Sequence, residues 1–117
     1  MWSMSRACSS APPAYWLDLR GYAPPEVAKR TAKAMLILQG ARDYQVTLKD
    51  FAAWKKGLSG RGNVEFRLYP NLNHLFVAGS GRSTPAEYER PGHVAAQVIQ
   101  DIAAWVKSSQ SGRTTGR

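Results

Sequence analysis

The chain has little cysteine, few acidic residues and no long apolar run. Its one cysteine, Cys8, excludes an internal disulfide framework and is typical of a reducing, cytoplasmic environment. None of the apolar stretches in its 117 residues exceeds five, the length of Ala34 to Leu38, whereas a membrane-spanning helix needs about 20. Residues 1–13 hold one arginine and no apolar core, so no secretory signal is expected. The sequence therefore predicts a soluble, cytoplasmic protein with no membrane partner.

Basic residues outnumber acidic ones, with 16 Lys and Arg against 8 Asp and Glu and a formal charge of +8. Such a balance suggests a nucleic-acid partner. The densest basic cluster, Lys29, Arg30 and Lys33, comes without a helix-turn-helix spacing, an RNA-binding aromatic strand or a Cys/His finger. The histidines at 74 and 93 have no carboxylate cluster near them in the sequence. The sequence therefore favours solvated helix faces over nucleic-acid binding, and predicts neither a metal nor another cofactor.

The chain does have a globular composition, with 44% hydrophobic residues, 4 Trp, 5 Tyr and 3 Phe. Periodic apolar residues occupy 14–107, which we predict to be one domain. The flanking segments 1–13 and 108–117 are rich in Ser, Gly, Pro and Arg. Both are predicted to be disordered, the second as a basic tail.

Three helices are predicted from apolar spacing and start signals. The first is short and lies within 22–31, where a proline pair precedes Glu26. The second begins at Thr47, with Asp50 completing a capping box, and the third runs over about 94–107. The side chains expected to face inward are, in the second helix, Leu48, Phe51, Ala52 and Leu58, and, in the third, Ala95, Val98, Ile99, Ile102, Ala103 and Val106.

Two strands alternate with these helices. The run 35–39 is apolar without alternation, which predicts a strand buried on both faces, as in a parallel sheet. Residues 64–69 alternate, with Val64, Phe66 and Leu68 on one face, which predicts a strand with its other face exposed. We therefore predict an α/β fold, a βαβ unit with two parallel strands and about three helices. Such a sheet leaves an open apolar edge, so the chain is expected to form a homo-oligomer through it.

Two polar side chains follow these strands, at the edge where α/β sheets carry their functional residues. Asp43 comes after the first strand and His74 after the second, so both are expected at the same edge. An aspartate placed there accepts a hydrogen bond from the imidazole and supports the charge that the imidazole gains as a base. Asp43 and His74 are therefore the predicted catalytic residues. His93, at the start of a helix, is expected to be a cap or surface residue.

The segments LILQGARDYQV and RLYPNLNHLF, with a helix between them, resemble the C-terminal part of a serine α/β-hydrolase of the dienelactone hydrolase and prolyl oligopeptidase-like kind. The resemblance runs from about Tyr15 to Val106. It implies a partial α/β-hydrolase fold, with Asp43 as the triad acid, His74 as the general base and Gly40 in a tight turn after the strand. It also implies a carboxylic ester as the small-molecule substrate.

The nucleophile elbow of that family, G-x-S-x-G, is missing upstream of Asp43. The segment most similar to this motif surrounds Ser59, but Ser59 lies at the end of a helix and after the acid in the sequence. Ser80 comes after the histidine. Cys8 and the two serines after it come in the right order, but no apolar strand precedes them. The regions that supply the oxyanion hole in the family are missing as well.

Two interpretations of the function remain. In the first, the chain is an esterase-like hydrolase in which Asp43 orients His74, and the nucleophile comes from a partner chain, a local serine or water. In the second, it is a truncated hydrolase fragment without turnover, or a self-associating interaction module. The length favours the second, since a complete member of the family has a core about twice as long.

Overall fold

The computed structural model describes residues 12–111, with the exception of the side chain of Trp16. The elements in this range are α1 (Pro13–Leu19), α2 (Pro24–Ala28), β1 (Met35–Gly40), α3 (Leu48–Gly57), β2 (Val64–Tyr69), a 3-10 helix (Pro85–Glu89) and α4 (Ala96–Ser111). The strands form one two-stranded parallel sheet, which confirms the predicted partial α/β fold. Within residues 12–111, none of the helices has the length and apolar character needed to cross a membrane.

The boundaries differ from the predicted ones at both ends of the described range. The sequence predicts neither α1 nor the 3-10 helix, both of which are short and begin with proline. α4 extends past the predicted end at 107, so residues 108–111, predicted as part of a disordered tail, are helical. Their serine hydroxyls donate to carbonyls one turn earlier, as from Ser109 to Val106 at 2.9 Å, and satisfy acceptors at the end of the helix. The predicted disorder of 1–11 and 112–117 lies outside the described residues.

The strands pair in register and end together. Met35 lies opposite Val64 at one end of the sheet, and Gly40 lies opposite Tyr69 at the other. Because the strands are parallel and joined by α3, the loops that follow them leave the sheet at the same edge. The register therefore places the segment that begins at residue 41 next to the segment that begins at residue 70.

The hydrophobic core is small and lies near that edge. Its buried members are Tyr69, Leu72 and Val98, against which Leu38, Phe76 and Ala95 pack. The phenol of Tyr69 donates to Asp101 Oδ2 at 2.7 Å and so connects β2 to α4. Burial and this hydrogen bond raise the pKa of Tyr69 to about 12. On the opposite face of the sheet, the ring of Phe51 in α3 packs edge-on against that of Phe66 in β2, with ring centroids 6.0 Å apart.

The burial of the two strands differs from the predicted patterns. Leu68, predicted to face inward with Val64 and Phe66, is 44% exposed, whereas its neighbour Tyr69 is 4% exposed. At this end of β2 it is the face toward α4 that is covered, because Tyr69 packs against that helix. β1 is half-buried over 35–38 rather than buried on both faces, since in the described range it pairs with β2 alone.

The helices begin as predicted but bury fewer side chains. The backbone N–H of Thr47 donates to Asp50 Oδ2 at 2.8 Å, which confirms the capping box of α3. The predicted inward residues that are buried are Phe51, Leu58 and Val98; those that are exposed instead include Leu48, Ala52, Ile99, Ile102, Ala103 and Val106. Most of the apolar stripe of α4 therefore has no covering in the described part of the chain.

Candidate active site

The loops that follow β1 and β2 are bound to each other. The backbone N–H of Ala41 donates to the carbonyl of Tyr69 at 2.9 Å, and that of Arg42 donates to the carbonyl of Leu72 at 3.0 Å. Gly40 permits this approach, because a Cβ at position 40 would lie 2.5 Å from the carbonyl oxygen of Leu72. The need for glycine here comes from the neighbouring loop rather than from a left-handed turn.

Asp43 and His74 meet across this junction. Asp43 Oδ2 lies 2.7 Å from His74 Nδ1. The side chain of Asp43 is 6% exposed and that of His74 is 36% exposed, so the carboxylate is shielded while the imidazole is accessible. A carboxylate on Nδ1 selects the tautomer with the proton on that atom and leaves Nε2 as the acceptor. The structure thus brings the two predicted site residues together in an arrangement suited to proton transfer at Nε2.

The Asp43 carboxylate is oriented by its own loop. Its Oδ1 accepts the backbone N–H groups of Gln45 and Val46 at 2.8 and 2.9 Å, which leaves Oδ2 for the histidine. The buried Gln39 side chain closes the same loop from inside, donating to the carbonyls of Gly40 at 3.0 Å and Val46 at 2.7 Å. Gln39 is not among the residues predicted for the site, although a polar residue at the end of an apolar strand is a usable signal.

The loop that carries His74 is organised by the buried side chain of Asn73. Asn73 Oδ1 accepts the backbone N–H groups of Leu75 at 3.0 Å and Val77 at 3.1 Å. The turn is tight enough that Phe76 takes a left-handed conformation, with φ of 57°. These bonds fix the backbone on both sides of His74.

A partly buried ion pair adjoins the site. The Arg42 guanidinium pairs with the Glu87 carboxylate, and its Nε donates to the carbonyl of Gly81 at 2.8 Å. The Ser83 hydroxyl donates to Glu87 at 2.5 Å. Hydrogen bonds from Ser83 and then from Arg42 lower the pKa of Glu87 to about 2. This pair is not predicted from the sequence, because its members are 45 residues apart and no local pattern relates them.

Aromatic rings lie beside the paired residues. Tyr44, which follows Asp43, stacks on Tyr88 with ring centroids 6.0 Å apart. Phe76 packs edge-on against Tyr69 of the core at 6.1 Å. Both rings therefore have packing partners within the described residues.

Ser59 and Ser80, the candidate serines within residues 12–111, make no hydrogen bond to His74. The two serines after Cys8 lie outside the described residues. Ser59 follows α3 and so lies toward the amino end of β2, away from the edge with Asp43 and His74. Ser80 belongs to the loop at that edge, but its carbonyl accepts from Arg42 at 3.2 Å and its hydroxyl makes no bond to the imidazole. Cys8 lies outside the described residues. In the described range there is also no group of three or more His, Cys, Asp or Glu side chains that could hold a metal ion.

The fold is that of an α/β protein with an Asp–His pair at one edge of its sheet, and the chain is similar to a known enzyme over most of its length. It is 50% identical over 96 residues to the esterase EstD of Thermotoga maritima. The match covers 82% of this chain and 23% of the esterase, so the chain spans about a quarter of its relative. No protein family model and no solved structure matches the chain. The chain therefore resembles one segment of an esterase-type hydrolase.

Proposed function

We propose that the chain is the acid–base part of a serine α/β-hydrolase, of the dienelactone hydrolase and prolyl oligopeptidase-like kind, that acts on carboxylic esters. The observation that carries this proposal is the 2.7 Å contact between Asp43 Oδ2 and His74 Nδ1 at the shared edge of two parallel strands. The similarity to a segment of an esterase supports the reaction class.

In the proposed reaction, His74 acts first as general base and then as general acid. The imidazole keeps its Nδ1 proton, which is hydrogen-bonded to Asp43, and accepts at Nε2 the proton of the attacking hydroxyl group. At the same time the hydroxyl oxygen bonds to the ester carbonyl carbon. The imidazolium then returns that proton to the leaving alcohol as the ester C–O bond breaks. Asp43, held by two backbone N–H groups, stabilises the imidazolium through its hydrogen bond to Nδ1.

The nucleophile in this proposal has three possible sources: a serine of a partner chain, a local serine after rearrangement, or water activated by His74. Ser80 is the candidate serine nearest to His74 in the sequence, and Arg42 donates a hydrogen bond to its carbonyl. Attack by water is the slowest route, because a triad without its nucleophile retains only a small part of the rate.

Hydrolysis of p-nitrophenyl esters tests the proposal. His74→Ala and Asp43→Asn are expected to lower the rate about 100-fold or more, since general acid–base catalysis contributes about that factor. His93→Ala is the matched control, because His93 is exposed and makes no hydrogen bond to a described residue. Rates that survive both site substitutions would contradict the proposed base system.

A fluorophosphonate probe with peptide mapping then identifies the nucleophile. Labelling of Ser80 would support a local serine, and labelling that needs a second protein would support a partner chain. The alternative function is a catalytically inert hydrolase fragment or a self-associating interaction module, and it is favoured by the lack of any contact between His74 and a described serine. A folded chain with neither turnover nor label would establish that alternative.

A further inference from the structure

The Glu87 carboxylate connects the residues that precede Asp43 and His74 in the sequence. Its Oε1 accepts a hydrogen bond from the Arg42 guanidinium, and its Oε2 accepts one from the Asn73 side-chain amide at 3.3 Å. Arg42 is followed directly by Asp43, and Asn73 is followed directly by His74. One carboxylate thus binds both loops of the candidate site, in each case through the residue that directly precedes a member of the pair in the sequence.

The partners of Glu87 are held in place by other bonds. The amide oxygen of Asn73 already accepts two backbone N–H groups of its own loop, which directs the amide nitrogen toward Glu87. The Arg42 guanidinium also donates to backbone carbonyls of the 80–81 segment, at 2.8 and 3.2 Å. The Ser83 hydroxyl donates to the same carboxylate oxygen as Asn73, at 2.5 Å.

Arg42, Asn73 and Ser83 all donate hydrogen bonds to Glu87, so both side-chain oxygens at position 87 must act as acceptors. A carboxylate provides that, whereas a glutamine has one acceptor and would direct an N–H group at either Arg42 or the pair of Asn73 and Ser83. Asn73 cannot exchange its oxygen for its nitrogen without losing two backbone bonds. The hydrogen bonds that Glu87 accepts, from Ser83 and then from Arg42, lower its pKa to about 2, so the carboxylate is ionised at neutral pH and also in mildly acidic solution.

We propose that Glu87 is a positioning residue for the Asp–His pair. It makes no hydrogen bond to Asp43 or His74 and acts through Arg42 and Asn73, whose positions set the separation of the two loops. Its catalytic consequence rests on the proposed function, since positioning affects turnover only where His74 is the base. The geometry that it sets is measurable without turnover.

The test is the NMR signal of the His74 Nδ1 proton in the full-length, ¹⁵N-labelled chain. A proton shared between an imidazole and a buried carboxylate gives a downfield signal protected from exchange with water, and its loss in His74→Ala assigns it. Glu87→Gln is expected to abolish the signal or to make its exchange with water about tenfold faster. Glu89→Gln, in the same 3-10 helix but exposed and without an ion pair to a described residue, is expected to leave it unchanged.

Ser83→Ala extends the test to a variant that leaves the Arg42–Glu87 pair in place. It removes one hydrogen bond from the carboxylate and is expected to speed the exchange of the His74 proton less than Glu87→Gln does. An unchanged signal in a folded Glu87→Gln chain would overturn the proposal. If circular dichroism shows that the Glu87→Gln chain is unfolded, the Ser83→Ala variant decides instead. Unchanged exchange of the His74 proton in Ser83→Ala would then overturn the proposal.

The same samples separate this proposal from the proposed function. A chain that shows the protected signal and its loss in Glu87→Gln, yet hydrolyses no ester, supports the positioning role and contradicts catalysis. A chain whose ester hydrolysis depends on His74, but whose His74 proton signal does not change in Glu87→Gln, supports catalysis and contradicts the positioning role.

Discussion

Gly40, at the end of β1, lies against the backbone of the loop that carries His74. A Cβ there would lie 2.5 Å from one carbonyl oxygen and 2.6 Å from the next, both backbone atoms that a rotamer change cannot move. Gly40→Ala is therefore expected to cost about 1–3 kcal/mol of stability through overpacking and to separate Asp43 from His74. Gly62→Ala is the matched control, because a Cβ at position 62 meets nothing within 4 Å.

Urea denaturation of the two glycine variants checks this expectation. Gly62→Ala is expected to be neutral or slightly stabilising, since alanine restricts the unfolded chain. Similar unfolding free energies for the two variants would mean that the loops have room to separate at position 40.

Glu87 gives the stability of the chain an acid dependence. Its pKa is about 2 in the folded chain against an ordinary value of 4.5, so the folded state binds fewer protons than the unfolded state between these values. The stabilising effect is therefore complete above about pH 4.5 and is lost as the pH falls toward 2. In Glu87→Gln this effect is missing at every pH.

The measurement is the free energy of unfolding of the wild type and of Glu87→Gln from pH 7 to pH 2. The wild type is expected to be the more stable at neutral pH, and the difference is expected to shrink as the pH falls below 4.5. A difference that stays constant down to pH 2 would show that the Ser83 and Arg42 bonds do not act on an ionised carboxylate.

The paired residues and the ion pair beside them differ in how far the sequence predicts them. Asp43 and His74 each follow a strand, and parallel strands end together, so local patterns and one topological rule place them at one edge. Arg42 and Glu87 also meet there, but Glu87 comes from a 3-10 helix whose position depends on the path of the 70–92 segment. No periodicity specifies that path, and therefore the contact has no signature in the sequence.

α4 has a buried side and an exposed apolar side. Val98, 2% exposed, packs with Tyr69 and Leu72, whereas Ile99 beside it is 58% exposed. Val98→Ala is expected to cost about 1–3 kcal/mol, because it removes buried methyl groups and leaves a cavity. Ile99→Ala is expected to change stability by about 0.5 kcal/mol or less.

Thermal unfolding of the isolated variants measures the difference. A large loss of stability in Ile99→Ala would mean that its side chain is covered in solution. The four-residue spacing of Val98, Ile102 and Val106 predicts the helix and the existence of an apolar face, and both are present. It does not identify what covers that face, since helix periodicity carries no information about a neighbouring surface.

The same limit affects the strands. Alternation predicts that Val64 and Phe66 share a face, but the burial of Tyr69 on the other face depends on α4, whose residues begin 27 positions later. An apolar strand such as β1 predicts cover on two faces and two edges. In the described range β1 is only partly covered. What covers the rest of the strand depends on the whole assembly and not on the sequence of the strand itself.

The molecule buries few apolar side chains and exposes many. Among the side chains that the structure describes, the buried apolar ones are Phe51, Leu58, Val64, Tyr69, Leu72 and Val98. An open groove of about 490 Å³, lined by Ala34 to Leu38, Trp54, Ile102 and Trp105, runs along β1 and joins the apolar side of α4. Exposed surfaces of this kind are typical of interfaces. The predicted homo-oligomer through the sheet edge would cover this groove.

Sedimentation velocity of matched charge variants tests that prediction. The wild type is expected to be a dimer or larger at concentrations on the order of tens of micromolar, where weak association is measurable. Ile102→Lys places a charge in the groove and is expected to shift the chain toward the monomer. Gln100→Lys adds the same charge to an exposed position outside the groove and is expected to leave the association unchanged. A wild-type chain that is monomeric at these concentrations would contradict the predicted homo-oligomer, because the groove then stays open without a second copy.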